Sequence, residues 1–354
     1  MLSFIQECSI WETLREEKRP ILMYGMGDGA LKILAACRQN GIPVQGIFVS
    51  DDHLRRRDFA GFPLKSLSEM EAEYGDFVIL LCFAAFREDL LAQIERVAER
   101  HTLLAPDVPV FGEGLFDSAF VDRYEGELQA AYDLMADSQS RAVFEAVVNF
   151  KLSGKPSWLK AVETPREEMY QLLQVGREEN YYDLGGYDGD TIREFRNYTE
   201  ENFSSITVLE PDTKNFRKLE NYVKENPDPS IRLVQAASWK EDGFLSFHNL
   251  AGRNSFLGEE GKTVVPARSV DSLAGEIPVT FIKMDVEGAE LETLYGAEGV
   301  LRRDAPKLLI AAYHRNEDLF RLPLSLHQIN PNYRIYLRRQ PYIPAWETNL
   351  CARI

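Results

Sequence analysis

Tyr181-Tyr-Asp-Leu-Gly-Gly-Tyr-Asp-Gly-Asp-Thr191 decides how this chain reads. Its apolar start predicts a strand, its glycines a tight turn, and Thr191-Ile-Arg-Glu-Phe195 the opening of a helix. Glycine lets a ligand approach the backbone closely, and a helix N-terminus offers unpaired N–H groups to an anionic group. Such a turn is a generic nucleotide-site signal. Val208-Leu-Glu-Pro-Asp212, one βα unit later, sharpens it: Glu210 stands at the tip of the second strand, where an acid can hold a ribose diol.

Working outward, the segment from about Glu179 to the end alternates strands and helices. Strands are expected at Tyr181–Leu184, Ile206–Glu210, Ile231–Ala236, Phe281–Asp285 and Leu308–Ala312. Tyr333–Arg338 and Thr348–Ala352 alternate about a Pro-rich turn and predict an antiparallel pair at the sheet edge. Upstream, Phe120, Tyr124, Leu128 and Tyr132 recur every four residues, and Val143, Val147 and Phe150 continue an apolar face; both predict helices, ending near Ser153-Gly-Lys-Pro156. The first segment predicts another βαβ unit. It has strands at Pro20–Tyr24, Val44–Val49 and Asp76–Cys82, and helices over about 30–39 and 87–100. The expected fold class is therefore α/β, divided as an N-terminal Rossmann-like unit (1–115), a helical connector (116–178) and a C-terminal Rossmann-like sheet with antiparallel edge strands (179–354).

The bulk properties exclude several classes. Among 354 residues, 56 acids against 40 bases give a formal net charge of −16, which argues against a nucleic-acid or anionic-membrane surface. Arg55-Arg-Arg57 is the densest basic patch and reads as a solvated loop. The four cysteines form no C-x-x-C pair, as expected of a reducing compartment. No apolar run approaches the roughly 20 residues of a membrane span, and Met1-Leu-Ser-Phe-Ile-Gln-Glu lacks the regions of a signal peptide. A cytoplasmic protein without a membrane or nucleic-acid partner is expected, and a homo-oligomer is compatible with the chain.

Ligands of an open α/β sheet sit beyond the carboxyl ends of its strands. Four polar clusters map there: Asp183 to Thr191, Glu210 with Pro211, Ala236-Ala-Ser238, and Lys283-Met-Asp-Val-Glu-Gly288. These residues, with R-S-V-D-S-L, I-K-M-D-V-E-G-A-E-L and Ala311-Ala-Tyr-His-Arg-Asn-Glu-Asp-Leu319, resemble the FkbM family of S-adenosylmethionine-dependent methyltransferases from about Tyr181 onward. Asp183-Leu-Gly-Gly departs modestly, standing where the family more often has a D-V-G-A start.

The resemblance implies S-adenosylmethionine as cofactor. Gly185, Gly186, Tyr187, Gly189 and Thr191 would bracket its amino acid end, with Asp183 shaping the loop. Glu210, followed by Pro211, would take the ribose hydroxyls, Ala237 and Ser238 would lie near the adenine, and Asp285 would lie near the sulfonium. Methyl transfer to a hydroxyl needs a base. His314, just past a strand end, is the candidate, with Asp285 and Glu287 as competing acids. Those acids could bind a divalent ion, yet no metal-ligand spacing stands out and no metal is expected. The expected reaction is O-methylation of a small-molecule, carbohydrate or natural-product hydroxyl. One alternative is a nucleotide-sugar oxidoreductase or epimerase, which needs a Tyr-x-x-x-Lys pair that Tyr198-Thr-Glu and Tyr222-Val-Lys224 do not supply. A non-catalytic nucleotide-binding module is the other.

In the first segment Gly25-Met-Gly-Asp-Gly29, with Asp51 or Asp52 at the next strand end, imitates a dinucleotide fingerprint but lacks its third glycine. With Gly46-Ile-Phe-Val-Ser-Asp-Asp52 and Gly61-Phe-Pro-Leu64, this segment is loosely similar to the N-terminal domain of sugar acyltransferases. That likeness implies a sugar or nucleotide-sugar module; an empty structural domain is the alternative.

Overall fold

The computed structural model describes residues 2–50, 58–248, 256–257 and 263–354; Asp51, Asp52 and Arg55 to Arg57 lie outside them. Short apolar runs buried on both faces build the first sheet, as parallel strands covered by helices require. Its strands are β1 (Ile21–Tyr24), β2 (Gly46–Phe48), β3 (Asp58–Phe59), β4 (Phe62–Lys65), β5 (Val78–Leu81) and β6 (Thr102–Leu104), in the order β3-β4-β2-β1-β5-β6. All pairs are parallel except the β3–β4 hairpin. Strands β3, β4 and β6 are not expected from the sequence: β3 has two residues, Pro63 interrupts β4, and Thr102-Leu-Leu104 is no longer than a turn.

The connector differs from the expected continuous stripe. It breaks at Tyr124 (φ −111°, ψ 21°) into helices Ser118–Arg123 and Glu125–Asp133. Helix Ser138–Ser153 then starts where Asp137 accepts from Ser140 N–H (2.7 Å) and stops at left-handed Gly154. Its length lets it cross the core, where Val143, Val147 and Phe150 are fully buried.

The C-terminal sheet begins with β7 (Asn180–Leu184), β8 (Ser205–Leu209) and β9 (Ile231–Val234). A small sheet follows, absent from the sequence expectations: β10 (Ala237–Ser238), β11 (Gly243–His248), β12 (Phe256–Leu257) and β13 (Thr263–Arg268), ordered β10-β13-β11-β12. Phe244 and Val264 stay exposed on it, so apolar pattern and burial do not coincide there. The main sheet resumes with β14 (Phe281–Met284), β15 (Lys307–Ala311), β16 (Arg334–Arg339) and β17 (Thr348–Arg353), giving the order β16-β17-β15-β14-β7-β8-β9. The expected antiparallel pair is β16–β17, with β17 lying between β15 and β16, antiparallel to both. The protein is thus α/β with two parallel-dominated, Rossmann-like sheets.

β7 pairs with β8 on one side and β14 on the other, so the chain reverses its winding direction at β7. That switch point opens a crevice at the strand ends. One apolar cluster, including Leu22, Phe144, Leu184 and Ile310, spans both sheets and the connector. Among the described residues no helix is long and apolar enough to cross a membrane.

Candidate active site

At the end of β7, Gly185 (φ +89°) touches the neighbouring crossover so closely that a Cβ would lie 1.9 Å from the Asp285 carbonyl oxygen. Any side chain would push β7 and β14 apart. Gly185 and Gly186 N–H both donate to Leu209 O (3.0 and 2.9 Å), tying the turn to the end of β8. Tyr187, also left-handed (φ +45°), donates its N–H to Glu210 Oε2 at 2.9 Å. Gly189 caps helix Asp190–Tyr198, and Thr191 Oγ1 donates to Asp183 Oδ2 at 2.5 Å beneath the turn.

Glu210 is held from two sides, because its Oε1 accepts from Asp212 N–H at 2.8 Å. Asp212 in turn caps helix Thr213–Glu225 through Lys214 and Asn215 N–H. Burial pushes the Glu210 carboxyl up to about 7, against the backbone donors of Asp212 and Tyr187 that favour its charge. Asp183, fully buried, is raised to about 6 by burial, opposed by Lys283 and the Thr191 bond.

These elements line a cavity of about 430 Å³. Of the expected site residues, Gly185, Tyr187, Thr191, Glu210, Pro211, Ala237, Ser238 and Asp285 line it. Asp183, Gly186, Gly189 and His314 are not among the residues that line it. Phe86, Glu88, Leu91, Arg166, Tyr313, Gln340, Tyr342 and Glu347 also face it, and no local pattern marks them as site residues. They come from far-apart segments, and the fold alone joins them. One such joint is visible: Ala85 and Ile343 exchange N–H···O bonds (both 2.8 Å), and beside them Phe86 stacks on Tyr342 (centroids 5.5 Å, 18°).

A second cluster hangs from the turn after β14, where Glu287 (φ +54°) and Gly288 (φ +89°) are both left-handed. Glu290 Oε1 accepts from Val286 N–H (2.9 Å) and pairs with His314 Nδ1 (2.8 Å). His314 Nε2 lies 3.5 Å from Asp285 Oδ1 and 3.4 Å from Glu287 Oε2. Burial alone would lower the His314 pKa, but Glu290, Asp285 and Glu287 outweigh it and raise it to about 10. That shift favours the protonated ring, a different setting from the titrating base expected from the sequence. Glu287, desolvated and close to Asp285 and Glu290, rises to about 8 although His314 opposes the shift. Lys283 Nζ sits 3.8 Å from both Asp183 and Asp285.

A seven-stranded sheet of this order, with a glycine turn on its first strand and an acid closing its second, has the architecture of a Rossmann-like methyltransferase. Residues 183–343 match the methyltransferase FkbM domain. A crystal structure of an FkbM methyltransferase from Methylobacillus flagellatus is similar over 97% of this chain and 92% of its own, with TM-score 0.74 and 23% identity. That likeness concerns the fold. Weaker likenesses cover about half the chain. An rRNA methylase from Streptococcus thermophilus has TM-score 0.36 and 12% identity over 54% of this chain and 97% of its own. Fibrillarin from Aeropyrum pernix has TM-score 0.33 and 11% identity over 53% and 74%. No curated protein matches in sequence.

A methyltransferase domain implies S-adenosylmethionine as cofactor. The residues present fit it: a carboxylate pinned by two backbone donors keeps lone pairs for a diol, and the side chain at Ala237 is small enough to leave room for a flat base.

Proposed function

We propose that the protein transfers the methyl group of S-adenosylmethionine to a hydroxyl oxygen of a carbohydrate or similarly hydroxylated natural product. The observation that carries this reading is the stacked Phe86–Tyr342 pair, which faces the same cavity as Glu210 and Asp285. An aromatic face beside polar Glu88, Arg166, Gln340 and Glu347 suits a ring that is apolar on one side and hydroxylated at its edge. The chain then divides as an N-terminal unit (1–115) that supplies part of the acceptor wall, a connector (116–178) and the methyltransferase unit (179–354).

Glu210 accepts from the two ribose hydroxyls, at about 1.5–3 kcal/mol for each charge-assisted bond. Gly185 and Tyr187 leave backbone room for the methionine end, and Ala237 and Ser238 flank the adenine. The bound cofactor supplies a methyl group already activated by its sulfonium. Alignment of the acceptor, worth up to about 7–11 kcal/mol, is then the main task of the cavity. Asp285 orients the attacking hydroxyl and Glu287 takes its proton as the oxygen–carbon bond forms and the carbon–sulfur bond breaks, leaving a neutral thioether. His314 is a positioning residue: its Nε2 faces both carboxylates and its Nδ1 is anchored on Glu290. Cys37, Cys82 and Cys351, buried and unpaired, support a reducing cytoplasmic setting.

Incubation with methyl-labelled cofactor and a panel of glycosides, nucleotide sugars and polyphenols, read by mass spectrometry, tests this. A base-stable label on oxygen is expected. Transfer only to nitrogen or carbon acceptors would overturn it.

A further inference from the structure

Oxygen and nitrogen ligands converge on one point beside the cavity. Asp285, Glu290 and His314 each place a ligand atom within 4.8 Å of the others, and Glu287 adds a carboxylate 3.4 Å from Nε2. This constellation is more than an acidic cluster, because two further features aim it at a ligand. Glu290 is fully buried, and its Oε2 has no hydrogen-bond partner, although Oε1 has two. A buried carboxylate oxygen left unsatisfied is costly, and native structures normally fill such a vacancy with a proton donor or a cation. The imidazole is also oriented as metal-bound histidines are: one ring nitrogen is fixed by a carboxylate while the other points at two acids.

Charge makes the same case. Asp285, Glu287 and Glu290 bring three carboxylates around one imidazole, and Lys283, 3.8 Å from Asp285, is shared with Asp183. Asp318, 3% exposed, adds a further acid nearby, its Oδ2 taken by Arg315 N–H at 2.7 Å.

We propose that Asp285, Glu290 and His314, with Glu287 at the cavity edge, bind one divalent cation of the magnesium–manganese class, the ion displacing the Nε2 proton of His314 to solvent. Carboxylate oxygens with a single imidazole suit such an ion, whereas thiolate-preferring metals find no sulfur here. Asp285 and Glu287 line the cavity while Glu290 and His314 do not, so the ion would face the acceptor from the protein side. On the methyl-transfer reading above, that position places it where a hydroxyl could be polarised before it loses its proton. The spacing of the four residues in sequence hid this set, because β15 and the turn after it must return His314 to the turn after β14.

The test uses the full-length protein, stripped with a chelator, dialysed and titrated with Mn²⁺ alone. Loss of the free-ion electron paramagnetic signal counts bound ions. About one ion per chain is expected, with affinity at least tenfold lower in Asp285→Asn and in Glu290→Gln. S-adenosylhomocysteine binding to Glu290→Gln serves as the fold check and should be unchanged, since Glu290 does not line the cavity. No Mn²⁺ binding by the wild type, or equal binding by both variants, overturns the proposal. Failure of S-adenosylhomocysteine to bind the wild type would instead count against the cofactor roles and leave the ion count standing.

Discussion

The chain makes one kind of glycine turn twice, after β1 at Gly25–Gly29 and after β7 at Gly185–Gly189, and of the two only the second lines the cavity at the strand ends. At the first, Gly25 (φ +113°) lies under Phe83, whose ring would be 2.5 Å from an added Cβ. Phe83 packs edge-on against Tyr24 (4.9 Å), which stacks on Phe48 (4.7 Å), so aromatic rings from the neighbouring strands cover the turn. At the second, the neighbouring strands end in Glu210 and Asp285, whose side chains line open space. The turn sets only the backbone path. What stands at the ends of the adjacent strands, a ring or a carboxylate, decides whether a ligand can enter.

The widest contrast expected is between Gly185→Ala and Gly27→Ala. Gly185 meets the Asp285 carbonyl, whereas an added Cβ at Gly27 has nothing within 4 Å and carries only the strain of φ +109°. Gly185→Ala should lose at least about 4 kcal/mol of stability, a value reserved for severe backbone or packing conflicts. Gly27→Ala should lose about 1–3 kcal/mol and keep its affinity for S-adenosylhomocysteine. Chemical denaturation and calorimetry measure both, and equal losses would dissolve the distinction between the turns. Next in size, Glu210→Ala should weaken S-adenosylhomocysteine binding at least about tenfold, since a lost charge-assisted pair exceeds 1.4 kcal/mol.

Glu210 also predicts a pH dependence. Its folded pKa is raised to about 7, so it is protonated below that pH and ionised above it. The ionised form is the better acceptor for the ribose. Affinity for S-adenosylhomocysteine should therefore rise from pH 6 to 8 and level off, by no more than about tenfold per pH unit. Glu210→Gln should bind more weakly and show a flat profile. A sloping profile in Glu210→Gln would assign the titration to another group.

The half of the cavity proposed above to take the cofactor was legible because it is local: strand, glycine turn and acid lie within Asp183 to Pro211, and each obeys a short-range rule. The strand ends at Ala237, Ser238 and Asp285 were legible for the same reason. The acceptor half was not. Phe86, Arg166 and Tyr342 reach one cavity only after the two sheets pack through a shared core, and no spacing encodes that. The surroundings of His314 were not legible for a related cause. A histidine after a strand reads as a titrating base, but Glu290 and Glu287 become its neighbours only through the turn after β14, and their charges hold its proton.

The smallest effect tests how the N-terminal half takes part. Phe83 and Phe86 follow β5 three residues apart, yet Phe83 covers the Gly25 turn while Phe86, 54% exposed, stacks on Tyr342 at the cavity. An aromatic contact is worth about 0.5–1.5 kcal/mol, so Phe86→Ala should raise the acceptor KM about two- to twelvefold and leave S-adenosylhomocysteine affinity unchanged. Phe83→Ala should do the reverse, lowering the unfolding midpoint with the acceptor KM intact. Steady-state kinetics beside thermal unfolding separate the two. If Phe86→Ala moves only stability, the N-terminal half is a scaffold, and acceptor recognition falls to Arg166, Tyr313 and the β16–β17 loop alone.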